Sequence, residues 1–438
     1  MKVSKFGGSS LANAQQFNKV KNIVLSDPSR RVIVVSALGK ENNQDHKITD
    51  LLYLTHAHLT YGVSVDEIFE EIRQKHLGVH HELGLSFDLE GELTKIRSSL
   101  RKNMEIDELV SRGEYLSACL MASYLGYDFI DAKDVICIDY NGQVDLEKTY
   151  LKIREVFSQH PKIVIPGFYG VLPNGKIKVM SRGGSDITGS LVAAALDAEV
   201  YENWTDVSGI LMADPRIVPS AKTIHKLTFA ELREMAFMGA SVLHEESIQP
   251  VKEKNIPLNI RNTNEPDHPG TMILSQIDEA SNKAHFITGV TGRQDFTVLS
   301  VYKEHIAKAP SMIRDVLEIL ERFECPLEHM TMGIDSFTIV CATSNIKERL
   351  YDIISDIKKQ CLPDKVIVEE DLALIAVVGR QMKETPGVSG RLFSAMGQHS
   401  INIRMIAQGT DEISIIVGIS NQDFNKTIQV LYEKFIGQ

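Results

Sequence analysis

Cysteine is scarce in this sequence, and two familiar signals, for export and for membrane insertion, are missing. The 438 residues contain five cysteines, an odd number, with no Cys-x-x-Cys pair, which argues against a disulfide framework and against a thiolate metal site. No run of about 18 apolar residues occurs, so we expect no membrane span. The first residues lack the basic start, apolar stretch and cleavage site of a signal peptide. The sequence therefore predicts a cytoplasmic protein without a membrane partner.

Several catalytic motifs and a basic charge balance are missing as well. The sequence has no H-E-x-x-H, no G-x-S-x-G, no G-x-G-x-x-G after a strand, and no protein-kinase H-R-D-L-x-x-x-N with D-F-G. Its net charge is −11. Nonspecific nucleic-acid binding needs concentrated lysine and arginine, so we expect no nucleic-acid partner.

Length and hydrophobic patterning predict an α/β protein with more than one domain. A chain of 438 residues is too long for one core, so two or three domains are expected. Continuous β-branched runs are typical of strands covered on both faces of a parallel sheet. Such runs occur at Val32–Val35, Ile163–Ile165, Val200–Asn203 and Pro257–Ile260. Helical stretches separate them, at Asp107–Leu125 before a stop at Gly126 and at Asp186–Leu196.

The last third of the chain contains an internal repeat. It follows a boundary marked by EPDHPGT at 265–271 and a polar stretch to about residue 284. When the sequence is aligned with itself at one fixed offset, identical residues coincide: Pro310 with Pro386, Gly333 with Gly409, and Asp335 with Asp411. Each unit reads strand, proline-containing loop, helix, strand, turn, strand. Because a unit this small has little core of its own, the two copies should pack together.

A lysine and two glycines form the first turn of the chain, Lys5-Phe6-Gly7-Gly8-Ser9-Ser10. Glycines let backbone amides approach a phosphate, a following helix adds its positive end, and lysine supplies a mobile charge. The lysine precedes the glycines, whereas in a P-loop it follows them. These residues alone leave two interpretations open, a phosphate site and a tight turn with a solvated lysine.

A second glycine turn, Ser181-Arg182-Gly183-Gly184-Ser185-Asp186, also precedes a probable helix start, which Ser185 or Asp186 could cap. A guanidinium beside glycines can present its fork to a carboxylate, and a neighbouring carboxylate can accept from an ammonium. An adjacent cation and anion therefore suit a zwitterionic amino acid. The alternative is a surface Arg–Asp pair beside a capped helix.

Other candidates lie after strands or within helical turns. Thr205-Asp206 follows a strand, where open α/β sheets bind ligands, and could bind a nucleotide or orient metal-bound water. Arg216, in Ala-Asp-Pro-Arg, could meet a phosphate or simply form a turn. Glu114 and Thr49 could contact a ligand or be solvated, and Phe168 could line a substrate or belong to the core.

Six segments in this order and spacing resemble the aspartate kinases of the amino-acid kinase superfamily: KFGGSS, SRGE, PGFYG, SRGGSD, TDVSG and ADPRIV. The repeated C-terminal units resemble the paired ACT domains of the same family, so the resemblance covers nearly the whole chain. It implies a carbamate kinase-like three-layer α/β/α domain with a mainly parallel open sheet at 1–280. It also implies two ferredoxin-like α+β ACT domains, the first at 302–372 inserted into the second, at 285–301 and 373–438.

The activity implied by this resemblance is transfer of the ATP γ-phosphoryl group to the β-carboxylate of L-aspartate, giving 4-phospho-L-aspartate. This is the first step toward lysine, threonine and methionine. Positioning and charge neutralisation dominate such transfers, with Mg²⁺ held mainly through the nucleotide phosphates. No general base is required, because the attacking carboxylate is already ionised at pH 7.

The resemblance also implies roles for individual residues. Lys5 would contact the transferring phosphoryl group, Arg182 the substrate α-carboxylate, and Glu114 with Asp186 its ammonium. The aspartate side would comprise Thr49, Glu114, Phe168, Arg182, Ser185 and Asp186. The ATP side would comprise Lys5, Gly7, Gly8, Ser9, Thr205, Asp206, Leu211, Arg216 and Ser241.

Three positions depart from the common family pattern. Many members have a lysine where this chain has Ser241, and an aromatic residue is frequent where it has Leu211. Many also read L-G before the arginine, where this chain has Met180-Ser181. Two alternatives stay open. One is a kinase for another acidic amino acid such as glutamate, against which the SRGE and TDVSG forms argue. The other is a non-catalytic amino-acid sensor that kept the ACT pair, for which the missing lysine at Ser241 is the support.

The ACT pair implies a homodimer or homotetramer and feedback inhibition by an amino acid, with lysine as the leading effector and threonine, alone or with lysine, as the alternative. Glu328, after the helix of the first repeat, could meet a lysine ammonium or be solvated. Residues 286–301 are expected to donate a strand to the second ACT domain. The chain end at Gln438 leads us to expect no fused homoserine dehydrogenase.

Overall fold

The computed structural model describes residues 1–437 except 43, 181–182, 241–242, 244, 278–286, 307–309, 381, 383–384 and 410–412. The chain divides into two compact units. The N-terminal unit comprises Met1–Ile210, Thr223–Leu232 and Val242–Ile277, and the C-terminal unit comprises Leu211–Lys222, Arg233–Ser241 and Asp278–Gln438. Among the described helices, none combines the length and the apolar character needed to cross a membrane.

The first part of the chain contains both helices and strands. In order they are β1 (Lys2–Phe6), α1 (Ala14–Leu25), β2 (Arg30–Val35), α2 (Ile48–Tyr61), α3 (Asp66–Glu82), α4 (Leu89–Ser99), α5 (Ile106–Val110), α6 (Arg112–Leu125), β3 (Asp128–Phe129), α7 (Ala132–Val135), α8 (Leu146–Gln159), β4 (Ile163–Pro166), β5 (Tyr169–Val171), β6 (Ile177–Val179), α9 (Gly184–Ala195), β7 (Val200–Thr205), β8 (Lys226–Thr228), α10 (Phe229–Phe237), α11 (Glu245–Glu253), β9 (Leu258–Asn262) and β10 (Thr271–Leu274). A 3₁₀ helix at Gly8–Leu11 follows β1.

The N-terminal unit is built on a sheet whose eight described strands follow the order β3-β4-β2-β1-β7-β9-β10-β8. The strands from β3 to β9 in this order run parallel, and β10 is antiparallel to β9. The four apolar runs predicted as strands form β2, β4, β7 and β9, which confirms the predicted α/β class with a mainly parallel sheet. Because parallel strands end at the same edge, the turns after β1, β2, β4 and β7 come together.

The predicted helix over Asp107–Leu125 is interrupted. It breaks at Ser111 into α5 and α6, where the Ser111 hydroxyl donates to the carbonyl of Glu108 at 2.9 Å and so competes with regular helical bonding. Gly113 follows the break, and a Cβ there would lie 2.9 Å from the Ala37 Cβ. The glycine therefore lets α6 approach the end of β2. The predicted stop holds, since Gly126 ends α6 in the left-handed region.

The C-terminal unit contains the two repeats. Its elements are β11 (Ile287–Tyr302), α12 (Pro310–Arg322), β12 (His329–Met332), β13 (Ser336–Ala342), α13 (Thr343–Ile346), α14 (Leu350–Cys361), β14 (Lys365–Gly379), α15 (Val388–Gln398), β15 (Met405–Gln408), β16 (Ser414–Ser420) and α16 (Phe424–Phe435). The order helix, strand, turn, strand occurs twice, as α12-β12-β13 and as α15-β15-β16. This arrangement is α+β, as predicted.

One long strand, β11, serves both halves of the C-terminal sheet, whose described order is β12-β13-β11-β14-β16-β15. Its first half, Ile287–Arg293, pairs with Leu374–Gly379 of β14, the segment that also pairs with β16. Its second half pairs with β13 and with the first half of β14. The domain boundaries expected at 1–280, 285–301, 302–372 and 373–438 stay predictions.

Candidate active site

The candidate site lies at the sheet edge where β1, β2, β4 and β7 end. Backbone hydrogen bonds join the turns that follow these strands: the Gly7 amide donates to the Trp204 carbonyl at 3.0 Å, and the Gly167 amide donates to the Val35 carbonyl at 2.9 Å. Segments far apart in sequence are therefore held side by side before any ligand binds.

Lys5 and Asp186 form a buried ion pair at this edge. The Lys5 ammonium lies 2.7 Å from Asp186 Oδ1, and the Lys5 residue is only 7% exposed. Asn203 sits beside Lys5 in the register of β1 and β7, and its amide donates to the same Asp186 oxygen at 2.8 Å. A buried ammonium needs such partners. The arrangement fixes one positive charge next to the glycine turn.

The glycine turn is tightly packed against the segment after β2. A Cβ on Gly8 would lie 3.0 Å from the Ala37 carbonyl oxygen, and a Cβ on Gly39 would lie 2.4 Å from the Gly8 carbonyl. The Gly39 amide donates to that carbonyl at 3.0 Å. Ser9 is partly exposed in the 3₁₀ turn. Gly39 was missed from the sequence, where Ala-Leu-Gly after a strand gave only a weak turn signal.

Glu114 is a buried carboxylate with an unused acceptor. It lies in the first turn of α6 and is 5% exposed, and its Oε2 has no hydrogen-bond partner among the described residues. Burial raises the pKa of Glu114 to about 8, although backbone amides, including that of Ala37, and the charge of Lys5 act in the opposite direction. An acceptor of this kind suits a ligand ammonium, which would supply the missing partner.

Phe168 and Ser185 meet at the start of α9. Phe168 adopts a left-handed backbone, with φ of 80°, and its amide donates to Thr188 Oγ1 at 3.1 Å. A Cβ on Gly184 would lie 2.7 Å from the Phe168 ring, and a Cβ on Gly167 would lie 2.6 Å from the Ser185 Cβ. The glycines of both motifs therefore permit this close packing between the end of β4 and α9.

The remaining predicted residues are distributed more widely. Thr49 lies partly buried in the first turn of α2, directly after Ile48, whose side chain lies near Gly113. Thr205 ends β7 and donates to the exposed carboxylate of Asp206 at 3.2 Å. Arg182 and Ser241 lie outside the described residues.

Three predicted residues belong to the C-terminal unit. Leu211 is partly buried. Arg216 is exposed and pairs with Asp214 at 2.6 Å. Glu328 accepts from Arg293 at 3.1 Å, so a cation of the protein itself already faces the carboxylate predicted to bind an effector.

A buried charge network under the sheet was not predicted. Glu202 of β7 accepts from Arg30 of β2 through two bonds, at 2.8 and 3.1 Å. The Ser4 hydroxyl and the Trp204 ring nitrogen donate to the same carboxylate at 2.9 and 3.0 Å. Burial alone would raise the pKa of Glu202, but these donors lower it. The network ties β1, β2 and β7 together beneath the site.

The site is short of metal ligands of its own. Among the described side chains, no group of three or more histidines, cysteines and carboxylates is placed to hold a metal ion. The Asp186 carboxylate, which lies closest to Lys5, is already engaged by Lys5 and Asn203. The donor set therefore fits a cation that arrives with phosphate oxygens and water as its main ligands.

Comparison with known protein families identifies both units. The sequence model of the amino acid kinase family matches residues 1–262, and that of an ACT domain matches residues 375–435. Aspartokinase 3 of Bacillus subtilis (strain 168) is 35% identical over 454 residues, covering 99% of this chain and 98% of its own.

Solved structures agree with the sequence relatives. The aspartate kinase of Clostridium acetobutylicum, an allosteric enzyme, has a TM-score of 0.92 and 45% identity over 99% of each chain. E. coli aspartokinase III in complex with aspartate and ADP (R-state) has a TM-score of 0.78 and 26% identity over 100% of both chains. The same E. coli enzyme in complex with lysine and aspartate (T-state) has a TM-score of 0.76 and 26% identity over 100% of this chain and 99% of its own.

Proposed function

The chain belongs to the amino acid kinase family and, within it, to the aspartokinases, and from this premise we propose how its residues carry out the reaction. The enzyme is an ATP-dependent aspartate kinase. An oxygen of the aspartate β-carboxylate attacks the γ-phosphorus of ATP. The bond between that phosphorus and the β,γ-bridging oxygen breaks, so that ADP leaves and 4-phospho-L-aspartate forms.

Lys5 neutralises charge on the transferring phosphoryl group. Its buried ammonium is held in place by Asp186, and Asn203 fixes Asp186 in turn, so the charge needs no reorganisation when ATP binds. Gly8 and Ser9 donate backbone hydrogen bonds to the nucleotide phosphates. Gly7, whose own amide donates to the Trp204 carbonyl, completes the turn that lets the phosphates approach. Thr205, Asp206, Leu211, Arg216 and Ser241 complete the proposed nucleotide side.

Aspartate binds through its two charged ends. The unpartnered Oε2 of Glu114 accepts from the substrate ammonium, and Arg182 holds the α-carboxylate. Phe168, Ser185 and Thr49 line the pocket. The acceptor carboxylate is ionised at neutral pH, so no side chain has to remove a proton from it.

Mg²⁺ is part of the proposal and would be held mainly by the nucleotide phosphates. When bound, it neutralises charge on the β- and γ-phosphoryl oxygens. The contribution of this chain is to orient the nucleotide beside Lys5, with Asp206 as a carboxylate that can accept from metal-bound water.

The observation that carries the proposed mechanism is the buried Lys5–Asp186 pair beside the unpartnered carboxylate of Glu114. It is tested by trapping the acyl phosphate with hydroxylamine in the presence of ATP, Mg²⁺ and aspartate, and again with glutamate. We expect aspartyl hydroxamate and far less product from glutamate. Absence of aspartyl hydroxamate at every enzyme concentration would overturn the proposal in favour of a non-catalytic sensor, and preference for glutamate would reassign the substrate.

Regulation through the ACT domains is expected to use lysine. E. coli aspartokinase III has been solved with lysine and aspartate, and this chain has a cavity of about 270 Å³ at the start of α15, lined in part by Pro386, Gly387 and Ser389. Glu328, in the first repeat, does not line this cavity and is proposed as a separate acidic contact, in exchange with Arg293. Adding lysine, threonine or both to the hydroxamate assay identifies the effector, and no inhibition by any of them would contradict this part.

Assembly, pathway and location complete the proposal. We expect a homodimer or homotetramer through the ACT domains, with boundaries at 1–280, 285–301, 302–372 and 373–438. Size-exclusion chromatography with light scattering measures the molecular mass, and a monomer at micromolar concentration would contradict the proposed assembly. The product enters the route to lysine, threonine and methionine. A cytoplasmic location suits the five free cysteines.

A further inference from the structure

The loop between β2 and α2, residues 36–47, of which all but residue 43 are described, borders both sides of the active site. Its ends meet, because the Ile48 amide donates to the Leu38 carbonyl at 3.4 Å. At its start, the Gly39 amide donates to the Gly8 carbonyl of the phosphate turn at 3.0 Å. At its end it leads directly into Thr49 in the first turn of α2. We call this segment the β2–α2 loop.

The side-chain ammonium of Lys75, on helix α3, contacts three residues of this loop. Lys75, on α3, lies 2.9 and 2.8 Å from the two carboxylate oxygens of Asp45. It also lies 3.2 Å from the Gly39 carbonyl oxygen and 2.6 Å from the His46 carbonyl oxygen. The Lys75 and Asp45 side chains are 16% and 18% exposed, so the contact is partly shielded from water.

The Asp45 carboxylate extends this contact into the loop backbone. It accepts from the Glu41 amide and from the His46 amide, both at 2.8 Å. Burial raises the pKa of Asp45, but Lys75 and these amides outweigh it and lower the pKa overall. A second residue of α3, Glu71, contacts the ring of His46 at 2.8 Å. The loop is therefore fastened to α3 at its start and near its end.

We propose that Lys75 is a positioning residue for phosphoryl transfer, which holds the β2–α2 loop so that the first turn of α2 presents Thr49 to the aspartate pocket. The inference rests on the proposed function of that pocket. The hydrogen bonds of Lys75 all go to the loop, at Gly39, Asp45 and His46. Lys75 contacts Gly39 only at its carbonyl, at 3.2 Å, and the bond from the Gly39 amide to Gly8 does not use the Lys75 side chain. Loss of Lys75 should therefore affect the aspartate side more than the nucleotide side.

An ordinary surface ion pair would explain the contact between Lys75 and Asp45 alone, but not the carbonyls of Gly39 and His46 on the same ammonium. Arg73 on the same helix provides the contrast. It pairs with Glu70 and Glu90 at 3.0 and 2.6 Å, on α3 and α4, and all three side chains are more exposed. Arg73→Met removes one charge from α3, and the hydrogen bonds of Arg73 go to Glu70 and Glu90 rather than to the described residues of the loop.

The test compares Lys75→Met and Lys75→Arg with Arg73→Met in the full-length enzyme, measuring kcat and KM for both substrates and Tm. Lys75→Met should lower kcat/KM for aspartate by about 10- to 100-fold, the effect of a small misplacement of a reacting group. The KM for ATP should change by less than about threefold. Lys75→Arg should recover most of the loss, and Arg73→Met should match the wild type.

Trypsin provides a readout that is independent of activity. Lys40 and Lys47 are exposed and lie within the loop, and cleavage there requires local opening. We expect faster cutting at these sites in Lys75→Met than in Arg73→Met, and protection by aspartate with ATP. If Lys75→Met does not fold, Asp45→Asn should show the same two effects in weaker form.

The outcomes separate this inference from the proposed function. A wild type that makes no aspartyl hydroxamate would overturn the function, while trypsin would still report whether Lys75 restrains the loop. An active wild type whose Lys75→Met variant equals Arg73→Met in aspartate KM and in cutting would overturn the positioning role alone. Equal losses for both substrates, with a large fall in Tm and no recovery in Lys75→Arg, would assign Lys75 to stability and also overturn it.

Discussion

The Lys5 ammonium and the Asp186 carboxylate lie 2.7 Å apart, although the elements that carry them, β1 and α9, are far apart in the sequence. The pair exists because β1 and β7 are neighbours and α9 begins where they end. In the proposed mechanism, the fold therefore positions the charge for the transferring phosphoryl group before a substrate arrives.

Lys5→Met should lower kcat by about 10²- to 10³-fold, the typical cost of losing one preorganised donor to a transition state. The aspartate KM should change little, because Glu114 and Arg182 are the proposed aspartate contacts. Lys2→Met is the matched control, since Lys2 lies on the same strand and pairs with Asp27 at 2.7 Å. Steady-state kinetics decide the matter, and normal turnover by Lys5→Met would refute a phosphoryl role.

Aspartate affinity should depend on pH through Glu114. Its pKa of about 8 means that Glu114 is mostly protonated in the free enzyme at neutral pH, whereas ammonium binding needs the carboxylate. We therefore expect kcat/KM for aspartate to rise with pH up to about pH 8 and to level off near about pH 9. Glu114→Gln should weaken aspartate binding and lose this rise, as measured by kinetics across pH. A pH-independent wild type would contradict it.

The same carboxyl group should make the substrate-free enzyme less stable as pH rises. An ordinary glutamate ionises near pH 4.5 when unfolded, but Glu114 retains its proton in the folded state up to about pH 8. Between these values the folded state binds more protons, so the free energy of unfolding falls with increasing pH. Glu114→Gln should become the more stable protein near pH 8 in denaturant titrations. A constant difference between the two proteins from pH 5 to 8 would argue against it.

His76 should cause loss of stability in acid. It is fully buried in α3, where one ring nitrogen lies 2.8 Å from the Ile72 carbonyl and the other has no partner among the described residues. Burial lowers the pKa of His76 to about 4, so the unfolded chain gains a proton near pH 6.5 that the folded state refuses. Stability should fall by roughly 3 kcal/mol as pH drops from 6.5 to 4.

His76→Met should remove this fall, at a cost of about 1 kcal/mol at neutral pH for the lost hydrogen bond. Exposed His81 on the same helix supplies the control, and His81→Gln should keep the wild-type pH dependence. Denaturant unfolding at several pH values measures both. Identical acid profiles for His76→Met and the wild type would exclude His76 as the cause.

Gly39→Ala should disrupt the glycine turn at Gly7 and Gly8. The new Cβ would lie 2.4 Å from the Gly8 carbonyl, so one of the two backbones must move. The KM for ATP should rise by about tenfold or more. Gly78→Ala is the contrasting variant, since a Cβ there meets nothing within 4 Å and α3 should gain up to about 1 kcal/mol. Nucleotide titrations and Tm distinguish them, and unchanged ATP binding in Gly39→Ala would contradict the packing argument.

Short-range patterns predicted the strands and most of the fold. Buried β-branched runs identify β2, β4, β7 and β9 because their signal is local. The interruption at Ser111 was not predicted, since the bond from its hydroxyl to the Glu108 carbonyl leaves the hydrophobic periodicity of the segment unchanged. The residues Lys5, Glu114 and Asp186 were identified as candidates by their motifs, but their geometry follows from strand order, which a single sequence does not encode visibly.

Gly39 and Lys75 show a second limit. Neither belongs to a recognisable motif, because each acts through a backbone contact that any residue of suitable shape or charge could make. Lys75 resembles many other surface lysines until the loop is folded against α3. Such supporting residues become visible only when carbonyl positions are known.

The continuous strand β11 has an evolutionary consequence. Because it pairs with β13 on one side and with both halves of β14 on the other, neither repeat forms a complete sheet by itself. A deletion of one copy would leave backbone groups in the strands of the other copy without hydrogen-bond partners. Because both copies share this strand, their sequences can differ, but neither copy can be deleted alone without loss of strand pairing in the other.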